Sequence, residues 1–302
     1  MTVSLQAFID RVQAEELNVF GIAVQQHGEI VATHRFAPDE PHVLHSLSKS
    51  YLVMGVGMLV DEGKLSIHDK VIDFFPDKLP EVVSERLAAM EVYHLLTMTC
   101  GHKEPFMMGT ARPHIPGGDW VRFFLANDPE VMPGTRFLYE SGCTYMLSAI
   151  ITKITGQTAL DFLMPRLFEP MGITERPYWV HCPMGITEGC AGLYLRTEQI
   201  LPFGEMILHE GVYNGQRLVS AEWIKAATTR QVDSSLDRGR DWYNGYGYQF
   251  WISHNGTPRG SGADGQFLIV MAEQDAVITV NSQEPRQQAI LDCIWDLVAP
   301  QL

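Results

Sequence analysis

The chain has 302 residues, of which 46% are hydrophobic and 19% charged, an ordinary globular composition that excludes a disordered chain. Its formal net charge is −14, and an acidic surface repels phosphate backbones, so we expect no nucleic-acid partner. The sequence also lacks an apolar run of about 18 residues, the length that a membrane-spanning helix needs. We therefore expect no membrane partner.

The N-terminal segment predicts an amphipathic helix rather than an export signal, because Asp10 and Arg11 interrupt its apolar positions. We therefore expect a cytoplasmic protein. Five cysteines are scattered along the chain without a CxxC pair. An odd, unpaired set of this kind predicts reduced, buried thiols rather than a disulfide framework or a zinc site.

Strand patterns lie at both ends of the chain. Residues 19–25 and 30–34 predict two strands joined by a turn at His27 and Gly28. Near the C-terminus, residues 246–252, 266–271 and 276–280 predict three strands, and apolar residues at helical spacing predict a closing helix over 287–298. A single sheet built from both termini accounts for this arrangement.

The middle of the chain predicts helices instead, over residues 46–62, 92–99, 120–125, 141–154, 159–167, 197–210 and 221–228. The predicted fold class is therefore α/β (α+β), with an antiparallel sheet from both termini, flanking terminal helices and an inserted, mainly helical lobe. We assign residues 1–45 and 238–302 to the sheet lobe and residues 46–237 to the helical lobe. A cleft between the lobes is the natural place for a site.

The helix predicted from residue 46 begins with an S-x-x-K pattern, Ser46 and Lys49. Positions i and i+3 share a helix face, so the two side chains are expected to touch. A serine hydroxyl is a poor nucleophile until a base removes its proton. A lysine does this only as a neutral amine, and because its ordinary pKa is about 10.4, burial has to favour the neutral form.

The sequence after Lys49 predicts that burial, because residues 51–60 are apolar on nearly every side. The first turn of such a helix also favours an oxyanion near the Ser46 N–H. The pattern alone is weak, since about one chain in two of this length carries it by chance. The alternative is that Ser48 is the helix N-cap and Ser46 a surface residue.

Two later segments contain residues that fit the same chemistry. Tyr139 precedes a predicted helix and is able to pass a proton to a leaving group, although a core tyrosine is the simpler interpretation. Small residues at 260–263 let a substrate approach backbone N–H groups. An edge strand there would supply a second oxyanion donor, and a glycine-rich hairpin loop is the alternative.

The ordered motifs resemble those of the serine β-lactamase and penicillin-binding-protein superfamily, in its class C-like and esterase branch. That branch uses S-x-x-K, then Y-x-N, then K-T-G or a variant. Longer stretches resemble it as well, at residues 94–101, 133–137, 168–172, 191–194 and 245–250. The resemblance covers about residues 19–280 and implies a β-lactamase/transpeptidase-like fold and a serine hydrolase that works through an acyl-enzyme.

The resemblance implies a role for each matching residue. Ser46 corresponds to the acylated serine, Lys49 to its base partner and Tyr139 to the catalytic tyrosine. Whether the base is Lys49 alone or the Lys49–Tyr139 pair stays open. Ser141 stands where asparagine is usual, so we expect it to contact substrate or Lys49. The backbone N–H groups of Ser46 and Ala263 are expected to form the oxyanion hole.

The third motif departs from the family pattern. Gly260, Ser261 and Gly262 stand where K-T-G is expected, so they are assigned to substrate binding without the usual cation. In the family that cation helps to bind a substrate carboxylate. Its loss argues against penicillin or D-Ala-D-Ala substrates and favours esters or neutral amides. Whether Arg259 replaces the cation stays open.

Other classes of site find little support. His42 and His45 have no third ligand at a suitable spacing, so we expect no metal. No phosphate-binding glycine motif precedes a predicted helix and G-x-S-x-G is absent, so we expect no cofactor and no α/β-hydrolase elbow. The long loop over residues 102–116 is suited to shaping a pocket. Several large side chains are candidates to line it and bind substrate, with lobe packing as the alternative: Trp120, Trp242, Tyr243, Phe106, Met107 and Met108.

Two functions remain. The favoured one is a serine hydrolase acting on a small-molecule ester, amide or lactam, with weak β-lactam hydrolysis at most. The departures at Ser141 and Gly260 support the alternative, an inactive relative that binds a ligand or assembles with itself. The hydrolase is preferred because an intact S-x-x-K with its tyrosine is what a decayed site loses first. A homo-oligomer is compatible with either function.

Overall fold

The structure, a computed structural model, describes residues 3–234 and 239–302. Its strands, including those of two small two-stranded sheets, are β1 (Val19–Gln26), β2 (Glu29–Arg35), β3 (His42–Val43), β4 (Tyr194–Leu195), β5 (Val212–Tyr213), β6 (Gln216–Arg217), β7 (Trp251–Ile252), β8 (Pro258–Ser261), β9 (Phe267–Met271) and β10 (Ala276–Ser282). Six of them form one antiparallel sheet in the order β2-β1-β10-β9-β8-β7. This confirms the sheet predicted from both termini.

The helices are α1 (Gln6–Ala14), α2 (Ser48–Asp61), α3 (Glu85–Ala89), α4 (Val92–Leu96), α5 (Trp120–Ala126), α6 (Ser141–Thr155), α7 (Ala159–Leu163), α8 (Leu201–Leu208), α9 (Ala221–Thr228) and α10 (Gln287–Cys293). Helices α2 and α6 pack against each other inside the inserted part of the chain. Residues 48–59 of α2 are all buried, as its apolar sequence predicts. The two-lobe division stays a proposal, and its boundary at 238 lies outside the described residues.

The centre of the sheet is covered on both faces. Every residue of β10 is buried, including the polar Thr279, Asn281 and Ser282. Helix α8 lies directly on it, because a Cβ placed on Gly204 would come within 2.3 Å of Val277 Cγ1. Glycine is required at this crossing, since any side chain would push the helix off the sheet.

The predicted strand over 246–252 is shorter than expected, with only Trp251 and Ile252 in β7. The backbone at Gln249 is left-handed, with φ 62°, and the chain bends there instead of staying extended. Gly247 packs against the Ala227 carbonyl, 2.1 Å from an ideal Cβ. The preceding segment is therefore a bend held against α9, and the prediction of a long strand is wrong.

No helix within residues 3–234 and 239–302 combines the length and the hydrophobicity needed to cross a membrane. The five cysteines are all buried and free.

Candidate active site

Ser46 lies in a short 3₁₀ turn, His45–Leu47, that leads directly into α2. The α-helix therefore begins two residues later than predicted. Ser48 does not cap this helix, because its hydroxyl accepts a hydrogen bond from the Leu193 N–H, at 3.2 Å. Ser46 is half-buried and faces Lys49, so the alternative of a surface serine does not hold.

Lys49 is almost fully enclosed, with 1% of its surface exposed. Its Nζ lies 3.2 Å from Ser46 Oγ, 3.4 Å from Ser141 Oγ and 2.6 Å from the Cys190 carbonyl oxygen. The spacing of three residues thus brings the amine to the hydroxyl, as predicted for one helix face. None of the three contacting oxygens carries a formal charge, and no carboxylate within residues 3–234 and 239–302 forms an ion pair with the amine.

Tyr139 borders the same amine. The centre of its ring lies 5.3 Å from Lys49 Nζ. The Tyr139 ring also packs against two aromatic side chains. It stacks on Trp251, with ring centroids 5.3 Å apart, and meets Tyr246 edge-on. Packing of this kind restricts the orientation of the ring. The structure therefore brings Ser46, Lys49, Tyr139 and Ser141 together.

Glu140, between the tyrosine and the serine of the second motif, anchors the loop over the site. It is buried, and its carboxylate accepts hydrogen bonds from the N–H groups of Phe106, Met107 and Gly142, the nearest at 2.6 Å. Burial raises the pKa of Glu140, and these N–H groups oppose that rise. The anchored loop places Met108 Sδ 3.5 Å from Ser141 Oγ, so part of the 102–116 loop does reach the site.

An arginine from this loop reaches the segment that holds Lys49. Arg112 Nη1 lies 2.6 Å from Cys190 Sγ, and its Nη2 lies 3.3 Å from Glu188 Oε2. Both charged side chains are mostly buried, each with 12% exposure. Burial raises the pKa of Glu188, with Arg112 and Lys49 opposing. The loop is therefore tied to the backbone next to Lys49.

The third motif packs against the nucleophile turn. A Cβ on Gly260 would come within 2.2 Å of Leu47 Cδ1, and one on Gly262 within 2.5 Å of the Leu44 carbonyl oxygen. Residues 258–261 form β8, paired with β9 at residues 259–261 and with β7 only at Pro258 and Arg259. The sequence thus predicted an edge strand correctly only for the half that faces Ser46.

Arg259 points away from this contact. Successive side chains alternate across a strand, so Arg259 and Gly260 face opposite sides of the sheet. The guanidinium is fully buried, donates to Ser253 Oγ at 3.1 Å and lies 4.6 Å from the Trp242 ring centre. Burial lowers the pKa of Arg259 to about 10. Arg259 therefore does not replace the missing cation beside Ser46.

Comparison with known proteins identifies the family and the fold of the chain. The beta-lactamase family model matches residues 6–292. The chain belongs to the beta-lactamase family. A curated relative, 6-aminohexanoate-dimer hydrolase of Paenarthrobacter ureafaciens, is 25% identical over 298 residues, covering 90% of this chain and 74% of the relative. The family and its relatives are hydrolases of the serine β-lactamase fold.

Solved structures share the fold at low identity. A family VIII carboxylesterase matches with a TM-score of 0.73 at 15% identity, over 96% of this chain and 95% of the other. The octameric penicillin-binding protein homologue from Pyrococcus abyssi matches with a TM-score of 0.75 at 19% identity, over 98% of this chain and 77% of the other. These matches confirm the predicted β-lactamase/transpeptidase-like fold.

The remaining residues that the sequence predicts for the site differ in how exposed they are. Ala263 is exposed at the tip of the β8–β9 hairpin, whereas Ser261 is buried. Trp120 and Trp242 are each 3% exposed. Trp120 packs against Tyr145 and Trp242 against Trp251. Their contact with substrate stays a prediction.

Several residues around the site were not identified from the sequence. Glu140 has a recognisable signal, because an acidic residue at a helix start caps backbone N–H groups. The Arg112–Glu188 pair and the Cys190 carbonyl have no local signal, since they meet Lys49 only through the fold. The same is true of His45 and Asp264, whose Nε2 and Oδ2 atoms lie 3.3 Å apart beside the nucleophile.

Proposed function

We propose that this chain is a serine hydrolase that cleaves small carboxylic esters or neutral amides through an acyl-enzyme on Ser46. The observation that carries the proposal is the 3.2 Å contact between Lys49 Nζ and Ser46 Oγ, made by an amine that is 1% exposed. A lysine is rarely enclosed in this way without a functional reason. Its position supports a role as the base that activates Ser46.

In the proposed mechanism Lys49 acts as a neutral amine, which has two N–H groups and one lone pair. The two N–H groups donate to the Cys190 carbonyl oxygen and to Ser141 Oγ, and the lone pair accepts the Ser46 proton. As that proton leaves, Ser46 Oγ bonds to the substrate carbonyl carbon, and the carbonyl oxygen becomes an oxyanion. We assign its stabilisation to the backbone N–H groups of Ser46 and Ala263.

Collapse of this intermediate breaks the bond to the leaving group and leaves the acyl chain on Ser46 Oγ. The proton taken by Lys49 passes through the Tyr139 hydroxyl to the leaving oxygen or nitrogen. A water then attacks the acyl carbonyl with the same groups acting in reverse, and the product carboxylic acid is released. Tyr139 is suited to this transfer because its ring borders the Lys49 amine.

The shape of the third motif supports the choice of substrate. Leu47 and Ser50 occupy the space beside Gly260, so residue 260 supplies no cation where the family's carboxylate-binding cation stands. Arg259 faces away. We therefore propose esters and neutral amides as substrates, with β-lactams hydrolysed weakly at best. Relatives named as a carboxylesterase and as 6-aminohexanoate-dimer hydrolase are consistent with both classes.

The test combines covalent labelling with kinetics. A fluorophosphonate probe is expected to modify Ser46, located by peptide mass spectrometry, and Ser46→Ala is expected to abolish both labelling and hydrolysis of p-nitrophenyl butyrate. Ser66→Ala is the matched control, because Ser66 is an exposed serine whose hydroxyl accepts only a local hydrogen bond from the His68 N–H. It should keep full activity.

A folded wild-type protein that neither labels on Ser46 nor hydrolyses a broad panel of esters and amides would contradict the proposal. That outcome would favour the inactive, ligand-binding alternative.

Oligomeric state is a separate question, since the Pyrococcus abyssi homologue is described as octameric. We propose a homo-oligomer for this chain as well, to be checked by sedimentation velocity.

A further inference from the structure

A histidine and an aspartate flank the two halves of the site. His45 immediately precedes Ser46, and Asp264 immediately follows Ala263. His45 Nε2 lies 3.3 Å from Asp264 Oδ2, and about a third of each side chain is exposed. The contact spans from the 3₁₀ turn before α2 to the hairpin between β8 and β9, which are distant in sequence.

The pair lies within one residue of each backbone N–H group that the proposed function assigns to the oxyanion hole. Adjacent Cα atoms are about 3.8 Å apart, so a contact at this position constrains both donors closely. We propose that His45 and Asp264 are positioning residues that fix the separation of the Ser46 and Ala263 N–H groups. This inference rests on the proposed function and extends it to how the oxyanion hole is held.

The backbone of His45 supports the proposal. Its φ is 44°, in the left-handed region, which non-glycine residues seldom adopt, although histidine is among those that tolerate it. Such a conformation persists where the surrounding structure over-determines it. The peptide plane after His45 carries the Ser46 N–H, so the conformation of His45 sets the direction in which that group points.

Asp264, on the hairpin side of the contact, is held in place by hydrogen bonds of its own backbone. Its carbonyl oxygen accepts hydrogen bonds from Ser282 Oγ at 2.6 Å and from the Glu284 N–H at 2.9 Å. Its own N–H donates to Gln266 Oε1 at 3.3 Å. These bonds attach the hairpin tip to the end of β10 in the central sheet. His45 is thereby tied to a rigid element rather than to a free loop.

The charged groups around His45 indicate how the contact works at neutral pH. Burial lowers the pKa of His45, the Asp264 carboxylate raises it, and the Arg112 guanidinium lowers it further. The net direction is downward, so the imidazole is neutral near pH 7. It then donates one N–H to the Asp264 carboxylate, and the pairing does not depend on a charged histidine.

The experiment removes the contact from each side in the full-length protein. His45→Gly keeps the left-handed backbone accessible while deleting the imidazole, and Asp264→Ala deletes the carboxylate. Each is expected to lower kcat for p-nitrophenyl butyrate about tenfold with KM within about twofold, because an oxyanion contact acts mainly in the transition state. The double variant should lose no more than either single one.

Two further measurements separate positioning from general structure. Benzeneboronic acid forms a tetrahedral adduct on a reactive serine, so its inhibition constant should rise about tenfold, in parallel with the fall in kcat. Asp264→Asn keeps an acceptor for a neutral imidazole N–H and should recover activity to within about threefold of wild type.

The matched control is His27→Ala. His27 also has a left-handed backbone, with φ 53°, and pairs with Asp275 at 2.9 Å, but on the turn between β1 and β2. It should leave kcat and the boronate affinity unchanged. If His45→Gly and Asp264→Ala also leave both unchanged while Ser46→Ala is inactive, the positioning role is wrong and the proposed function stands. An active Ser46→Ala enzyme would instead overturn the proposed function.

Discussion

The nucleophile turn at residues 46–49 and the third-motif strand at residues 260–263 form opposite walls of the site by different means. In the turn, Lys49 reaches Ser46 because the two residues are three apart on one helical segment. In the strand, Gly260 and Gly262 reach the turn only because the sheet and α2 pack closely, against Leu47 and Leu44. Local spacing therefore determines how Lys49 lies beside Ser46, whereas tertiary packing determines where Gly260 and Gly262 lie. We expect substitutions in the two segments to have different effects.

The largest expected effect comes from the amine in the turn. Lys49→Met keeps the length and burial of the side chain but removes the base, so kcat/KM for an ester should fall about 10³-fold or more. The melting temperature should change by only a few degrees, about what a change of 1 kcal/mol produces. Steady-state kinetics and thermal unfolding check this.

Lys153→Met is the control for that variant, because Lys153 is an exposed lysine on α6. It should keep full activity. A Lys49→Met enzyme that retained more than a tenth of wild-type activity would mean that the turn does not supply the base.

A substitution in the third-motif strand is expected to lower the free energy of unfolding first. In Gly260→Ala the added Cβ would lie 2.2 Å from Leu47 Cδ1. Overpacking of this kind lowers the free energy of unfolding by about 1–3 kcal/mol. Activity should fall as well, since the strand must move away from the turn. Urea unfolding measures the first effect and ester hydrolysis the second.

Gly109→Ala is the matched glycine substitution, because the nearest described neighbour of its added Cβ, an Arg112 guanidinium nitrogen, is 3.8 Å away. Its free energy of unfolding should stay within about 0.5 kcal/mol of wild type. Equal stability of the two variants would show that Gly260 is not pressed against the turn.

The sequence predicts the features that local spacing determines and misses those that depend on tertiary packing. Alternating and helical patterns predicted the sheet from both termini and the buried α2, because each depends on its own residues. The strand predicted over 246–252 was wrong, since the left-handed backbone at Gln249 and the close packing of Gly247 are tertiary features. The roles of Cys190 and Arg112 beside Lys49 likewise depend on contacts between distant segments.

The last expected effect is on stability and concerns the hydrogen bonds behind the third motif. The N–H of Glu284 donates to the Asp264 carbonyl oxygen, and its own carboxylate accepts from the Arg286 guanidinium and from the N–H groups of Arg286 and Asn18. The hydrogen bonds from Arg286 are the main reason that the pKa of Glu284 is lowered to about 2.

A carboxyl with a lowered pKa stabilises the folded state above its unfolded pKa, and this contribution is lost as the pH falls through the folded value. Glu284→Gln should therefore lower the free energy of unfolding by about 2 kcal/mol at pH 7, with the difference from wild type closing between about pH 4 and pH 2. Urea unfolding across this range measures it. Glu273→Gln, at an exposed position before β10, is the control, and a Glu284 difference that did not depend on pH would contradict the account.

The role of Ser46 as the acylated nucleophile is tested most directly by a crystal structure of the protein after reaction with a phosphonate ester probe. We expect phosphorus bonded to Ser46 Oγ, Lys49 Nζ within hydrogen-bonding distance of that oxygen, and one phosphonyl oxygen between the N–H groups of Ser46 and Ala263. An adduct on another residue, or a Ser46 adduct whose phosphonyl oxygen points away from both N–H groups, would contradict this expectation.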